Sequence, residues 1–223
     1  GAPRQAPEGS GAYRVRLDPG HSVILRTLDP VGANGGIADA RWFMAEAAAW
    51  RPVHGPWRLE FALGGPEIPP AREMADLKSW TDMGDLATER FAGTAVYRAG
   101  FDAPGEGPWL LDLGRVRHSA RVRVNGREEG TLFMAPYRVL LSGLKPTGNE
   151  LVVEVTNLAA NRIRDMDRLK VPWRVFHDAN VVSIRYKPFD ASGWPPMESG
   201  LMGPVRIAPA IPAPAPPMGG RRD

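Results

Sequence analysis

A chain of 223 residues with 28 basic and 25 acidic side chains has a formal charge of only +3, so it lacks the basic block that a nucleic-acid surface requires. It contains no cysteine, which excludes disulfides, iron–sulfur clusters, thiolate metal sites and cysteine nucleophiles. No apolar run is long enough for a helical membrane span. A domain of about 150 residues buries roughly 68–70% of its unfolded surface and needs no covalent staple.

Residues 1–12 are rich in Gly, Pro and Ala and are expected to be a flexible segment. Two strands are expected over 13–17 (YRVRL) and 22–28 (SVILRTL), joined by the turn tetrapeptide Asp18-Pro-Gly-His21. Residues 31–39 hold three glycines and an asparagine and read as a loop. Residues 40–50 carry helix-forming alanines but stop short at Pro52, and the pattern fits a single helix or a strand. Clean alternation at Trp57-Arg-Leu-Glu-Phe61 opens the main sandwich. Residues 66–92 lack strand periodicity and predict a long decorated loop with room for a helical turn; loops of that length are usually functional or disordered. Residues 93–101 then form a strand with Ala95, Tyr97 and Ala99 on one face.

The stretch 109–157 is the structural centre. Ala120, Val122 and Val124 alternate with Arg121, Arg123 and Asn125, and Asn125-Gly126 readily takes positive φ, so a tight hairpin is expected there. After the turn at 145–149, Leu151, Val153 and Val155 alternate with Val152, Glu154 and Thr156. Arg115, Arg117, Arg121, Arg123 and Arg127 would suit an acidic partner, but their alternation marks the solvated face of strands. Residues 158–176 show no sustained alternation. A short strand at 181–186, a loop at 188–200 and a closing strand at 201–207 follow. Residues 209–223 are an extended Pro/Ala-rich tail. Short strands separated by regular turn signals predict an all-β sandwich over 51–208.

Familiar catalytic signatures do not occur: no Gly-x-Ser-x-Gly elbow, no phosphate-binding loop, no His-Glu-x-x-His. The four histidines are dispersed. Asp165 and Asp167 would face the same way in an extended loop, where loop stabilisation is the first reading, calcium the second and catalysis the third. Tryptophan is the better lead. Trp57 and Trp109 open strands and belong to the core. Trp80, Trp173 and Trp194 fall in expected loops, where an exposed ring can pack on the apolar face of a sugar while Asp, Asn and Arg bond its hydroxyls.

Taken in order, Gly93-Thr-Ala-Val-Tyr97, Leu111-Asp-Leu-Gly114, Ala120-x-Val-x-Val-Asn125-Gly126, Pro136-Tyr137-Arg138, Gly148-Asn149, Val155-Thr-Asn157, Asn161-Arg162 and Gly200-Leu-x-Gly-Pro204-Val205 resemble the galactose-binding-like jelly roll of glycoside hydrolases. The likeness is to the sugar-binding domain of family 2 and the C-terminal module of family 106 α-L-rhamnosidase-like enzymes. Leu17-Asp-Pro-Gly20-x-Ser22 resembles the end of a preceding β-domain, assigned to 13–50. The family pattern continues after Asn161-Arg162 with an apolar pair and Gly-Asp; here Ile163-Arg164-Asp165 lacks the glycine.

The resemblance implies a carbohydrate-binding or scaffolding module of a longer, secreted or periplasmic bacterial polypeptide whose catalytic barrel is not in this chain. Its partners would be a plant or algal polysaccharide or oligosaccharide and that catalytic domain. The candidate ligand-binding positions are the loop residues Trp80, Trp173 and Trp194 together with Tyr137 and the family-matching Asn161, Arg162 and Asp165, with no catalytic residue, and structural calcium is the one cofactor considered. Two other readings stand beside it. One is a stand-alone jelly-roll hydrolase or lyase using Asp165, Asp167, His177 or Tyr186; the other is a purely structural interaction domain.

Overall fold

The structure is a computed structural model, and it describes residues 49–174 and 188–210. The flexible segment 1–12, the strands expected over 13–17, 22–28 and 181–186, the loop at 31–39, most of segment 40–50, residues 211–223 of the tail, and His177 and Tyr186 lie outside the described residues; of the tail, Pro209 closes a strand and Ala210 is buried.

Three sheets occur among the described residues. The first has six strands in the order β3 (Arg72–Met74), β2 (Trp57–Gly65), β4 (Ala92–Phe101), β10 (Asn149–Thr156), β7 (Ser119–Val124) and β8 (Arg127–Leu132). The second has four, in the order β1 (Arg51–Pro52), β12 (Arg206–Pro209), β5 (Trp109–Asp112) and β9 (Arg138–Leu141). A small third sheet pairs β11 (Gly200–Gly203) with β6 (Arg115–Arg117). Every pairing of named strands is antiparallel. One core joins the two large sheets: Leu59, Tyr97, Val122 and Val153 from the first belong to the same buried cluster as Leu111, Leu141 and Ile207 from the second. The protein is therefore an all-β sandwich.

The period-two pattern survives as written. Trp57, Leu59 and Phe61 are buried, and Arg58 and Glu60 between them are exposed. Ala95, Tyr97 and Ala99 turn inward as expected, and Trp57 and Trp109 are core residues. The β7–β8 hairpin turns at Asn125 (φ 50°) and Gly126 (φ 80°), the conformation that a two-residue turn demands. Asn125 does more than tolerate that φ, because its side-chain oxygen accepts from Glu150 N at 3.0 Å and its amide donates to Asn149 Oδ1 at 2.9 Å. The arginine row lies outward and meets glutamates. Arg121 approaches Glu128 and Glu154 at 3.9 Å each, Arg123 pairs with Glu154, and Arg115 with Glu198.

Three expectations need correction. Residues 66–92 are more ordered than a loop: they contain β3, a 3-10 turn at Trp80–Asp82 and a short helix α1 (Leu86–Glu89) capped by Asp85, whose carboxylate accepts from Thr88 N at 2.9 Å. Residues 201–207 are not one strand. Gly203 (φ 64°) and Pro204 break the run, so β11 and β12 belong to different sheets.

The third correction matters most for function. The segment after Leu158 contains a helix, α2 (Ala160–Arg168), where no element was expected. Its buried residues are Asn161, Arg164 and Asp165, spaced i, i+3 and i+4. The face it turns inward is thus polar, and a hydrophobic-periodicity reading has nothing to detect. Lys170 (φ 55°) ends the helix, with Val171 N donating to Met166 O at 2.9 Å and Lys170 N to Asp167 O at 3.2 Å, a Schellman arrangement made without glycine.

Candidate functional site

The polar face of α2 brackets a loop, and the loop carries the exposed aromatic. Asn161 makes a reciprocal pair with Met197, its amide donating to Met197 O and its oxygen accepting from Met197 N, both at 2.7 Å. Three residues on, Arg164 donates through Nε to Trp194 O at 2.7 Å and through Nη1 to Glu89 of α1 at 2.9 Å. Two side chains one helical turn apart therefore fix both ends of the segment Trp194-Pro-Pro-Met197. Its two prolines reduce the freedom left to lose. Trp194 remains 40% exposed on this fixed backbone.

Behind it the aromatics stack edge to face. Phe189 lies 5.5 Å from Trp194 at 87°, and Trp173 lies 6.1 Å from Phe189 at 83°. The Arg174 guanidinium sits over both Trp173 (5.5 Å) and Phe189 (5.7 Å). Asp167 ties this cluster to the helix. One carboxylate oxygen accepts from Trp173 Nε1 at 2.7 Å and Arg174 at 3.0 Å; the other accepts from Ala191 N at 2.7 Å. Burial pushes the Asp167 carboxyl upward, but these three donors outweigh it and hold it below the usual carboxylate range. Asp167 is anionic at neutral pH.

Asp165 and Asp167 do not share a face. Two residues apart on a helix they diverge by about 200°, and Asp165 instead takes Arg162 at 2.7 Å, with Arg90 at 3.8 Å. Each is occupied by basic or N–H donors, which matches the loop-stabilising reading and leaves neither as a pair across a cleft. Among the described residues no cluster of three or more His, Cys, Asp or Glu is placed to hold a metal ion.

The seven implied ligand positions therefore separate. Trp80 is core: it is 0% exposed, within 5.3 Å of Phe61 and 5.6 Å of Phe91, and its indole donates to the Tyr97 hydroxyl. A ring enclosed on both faces has none to offer a sugar. Tyr137 is also buried, its hydroxyl donating to His118 O at 2.7 Å. Asn161 brackets the loop, and Arg162 and Asp165 pair with each other, so all three are engaged with protein groups. Trp173 is half-buried behind Phe189, and Trp194 alone among the seven is exposed. Sequence reasoning missed Arg164, Arg174 and Phe189, which come from three separate stretches. Only the helical spacing of Asn161 and Arg164 offered a signal.

No family model matches the chain. It is 32% identical over 176 residues to a protein of Formosa agariphila named "Putative beta-glucuronidase", an alignment covering 69% of this chain and 15% of that protein. The fold matches a rhamnosidase from Novosphingobium sp. PP1Y with a TM-score of 0.57 and 30% identity, over 71% of this chain and 15% of the rhamnosidase. A β-glucuronidase of Ruminococcus gnavus matches more distantly, at 20% identity over 50% of this chain and 21% of that one, with a TM-score of 0.40. The chain is similar, in sequence and in fold, to one segment of glycoside hydrolases. It spans about 15% of the length of the first two.

Proposed function

We infer that this chain is a non-catalytic, galactose-binding-like jelly-roll module of a rhamnosidase-like glycoside hydrolase, and that it holds carbohydrate at the Trp194 rim. The observation that carries the reading is the extent of the similarity: about 70% of this chain aligns, yet with only 15% of a protein named as a β-glucuronidase and of a rhamnosidase. The site chemistry agrees. Asp165 and Asp167, the two helix carboxylates weighed for catalysis, are held by donors rather than paired across a gap. The remaining chemistry is that of recognition. The exposed Trp194 supplies an aromatic surface for the C–H face of a sugar ring, and the Arg174 guanidinium stands behind it over Phe189 and Trp173.

One stacked ring and a few hydroxyl contacts give weak binding, since each net hydrogen bond contributes only about 0.5–1.5 kcal/mol. A Kd near the millimolar range, about −4 kcal/mol, is expected. Affinity electrophoresis of the full chain through gels containing plant or algal polysaccharides tests the proposal. Retardation in at least one gel, with no sugar released, is the expected result. Liberation of reducing sugar or unsaturated product by the chain alone would replace it with the enzyme reading. Uniform absence of retardation would leave scaffolding as the module's role.

A further inference from the structure

The β2–β4 ladder stops short of the end of β4, and a cleft opens where it stops. Its last pair is Arg58 opposite Arg98. Continuing the register would set Pro56 opposite Gly100, but Pro56 has no N–H to donate. No backbone bond joins these two among the described residues. β4 itself runs on, paired with β10 as far as Phe101 opposite Asn149. The pleat decides where its backbone groups turn. Gly93 O accepts from Asn157 N, and Phe101 O accepts from the Asn149 side-chain amide, so the odd-numbered residues of β4 face β10. These directions alternate along an antiparallel strand. Gly100 therefore turns its N–H and C=O to the β2 side, into the gap beside Pro56.

Side chains build the walls. Pro56, Arg58, Glu73, Arg98, Gly100 and Glu150 are all exposed and line a cleft of about 280 Å³ on the outer face of the six-stranded sheet. Arg58 and Arg98 stand directly opposite each other, an arrangement of like charges that repels. Glu73 lies across from Arg58 on its other side. Among these four charged side chains one ion pair forms, Arg98 to Glu150 at 3.7 Å, too long for a hydrogen bond. Guanidinium donors and carboxylate acceptors thus face the cleft uncommitted to each other.

We propose that this cleft binds one neutral sugar unit, at a site separate from the Trp194 rim. The two arginines and two glutamates of the wall cancel, so an ion of either sign meets repulsion as well as attraction. A hydroxyl group meets none. It donates to Glu73, Glu150 or Gly100 O and accepts from Arg58, Arg98 or Gly100 N. A ring carrying several hydroxyls in fixed directions matches such a mixture of donors and acceptors, and the Pro56 ring offers an apolar wall to its C–H groups. The space equals about nine water volumes at about 30 Å³ each, enough for one ring. The two sites share no residue, so neither rests on the other. β10 runs between them: Glu150 lies at its first turn of pleat and α2 leaves beyond Thr156, roughly 23 Å along the strand.

The test is titration of the isotope-labelled full chain with galactose, rhamnose and glucose, and separately with glucuronate and glucosamine, following backbone amides by NMR. A saturable shift of the Gly100 and Arg98 amides with at least one neutral sugar is expected. Gly100→Val should weaken that response about tenfold or more. The substitution fills the cleft without disturbing the sheet, because a Cβ at Gly100 would meet only Asn149 O, at 3.9 Å. Glu73→Leu, at an exposed position, should weaken it as well. Trp194→Ala should leave the Gly100 response as it is while abolishing any shift at the rim, so failure of one site reads apart from failure of the other. The absence of a saturable Gly100 shift with all three neutral sugars would overturn the proposal. So would an unchanged titration in Gly100→Val, or a tighter response to glucuronate or glucosamine than to any neutral sugar.

Discussion

The indole of Trp80 donates a 2.6 Å hydrogen bond to the hydroxyl of Tyr97, which also accepts from Leu201 N at 3.1 Å. That one oxygen joins the 3-10 turn, the centre of the six-stranded sheet and the start of β11. Burial drives the Tyr97 phenol up to about 12, against the two hydrogen bonds that favour the phenolate, so it stays neutral across the working pH range.

Substitution separates shape from polarity at this junction. Trp80→Ala empties a site inside the Phe61–Trp80–Phe91 cluster and should cost about 3–5 kcal/mol. Tyr97→Phe keeps the ring but strands two buried donors, for about 1–3 kcal/mol. Gly200→Ala should also destabilise, because Gly200 has φ +93° and a Cβ there would collide with the Trp80 indole and the Tyr97 hydroxyl. Denaturant unfolding measures all three. A Trp80→Ala midpoint equal to that of the parent chain would return this residue to the rim.

Trp194→Ala should behave in the opposite way. The residue is exposed, its hydrogen bonds are made by its backbone, with the carbonyl accepting from Arg164 and the N–H donating to Ala191 O, and its ring meets Phe189 edge to face. Gel retardation by polysaccharide should fall by roughly tenfold, the equivalent of about 1.4 kcal/mol, with the melting temperature unchanged. Arg164→Met should lower retardation as well as stability, since it frees the loop and leaves Glu89 without its arginine. Unaltered retardation in Trp194→Ala would remove the ring from recognition.

The β7–β8 turn offers a local check. Asn125→Val forces a β-branched residue to φ 50° and removes both side-chain bonds to β10, so a loss of about 2 kcal/mol is expected. Asn125→Gly should recover part of it, because only the backbone term is relieved. Equal midpoints for the two variants would mean that the backbone conformation contributes nothing.

Stability should decline over two windows as the pH is lowered. Burial, reinforced by the Arg117 charge, holds His118 below its ordinary value. The unfolded chain therefore takes up a proton first, and stability declines as pH falls below about 6.5. The lowered carboxylates act later. Glu198 is held down chiefly by its hydrogen bond from Arg115, whereas in Asp85 burial is outweighed by bonds from Thr88 and Arg72. Their contribution is complete above about pH 4.5 and is lost below it. His118→Gln should flatten the decline over the first window alone. If the midpoint slope between pH 5 and 7 matches that of the parent chain, His118 is not the group responsible.

The strands were legible in the residues because burial of one face writes a period of two directly into the chain. Trp57-Arg-Leu-Glu-Phe61 and the Asn125-Gly126 reversal needed no neighbours to be read, and the all-β class followed from their repetition. What α2 does could not be read that way. Its inward face is Asn161, Arg164 and Asp165, whose partners Met197, Trp194, Glu89 and Arg90 are brought to it only by folding. Polar contacts leave no trace in the hydrophobic pattern. The same limit decided the tryptophans. Trp80 and Trp194 look alike in sequence, each among turn-forming residues, and only the packing of Phe61 and Phe91 around one and the bracketing of the other's backbone made the first core and the second surface.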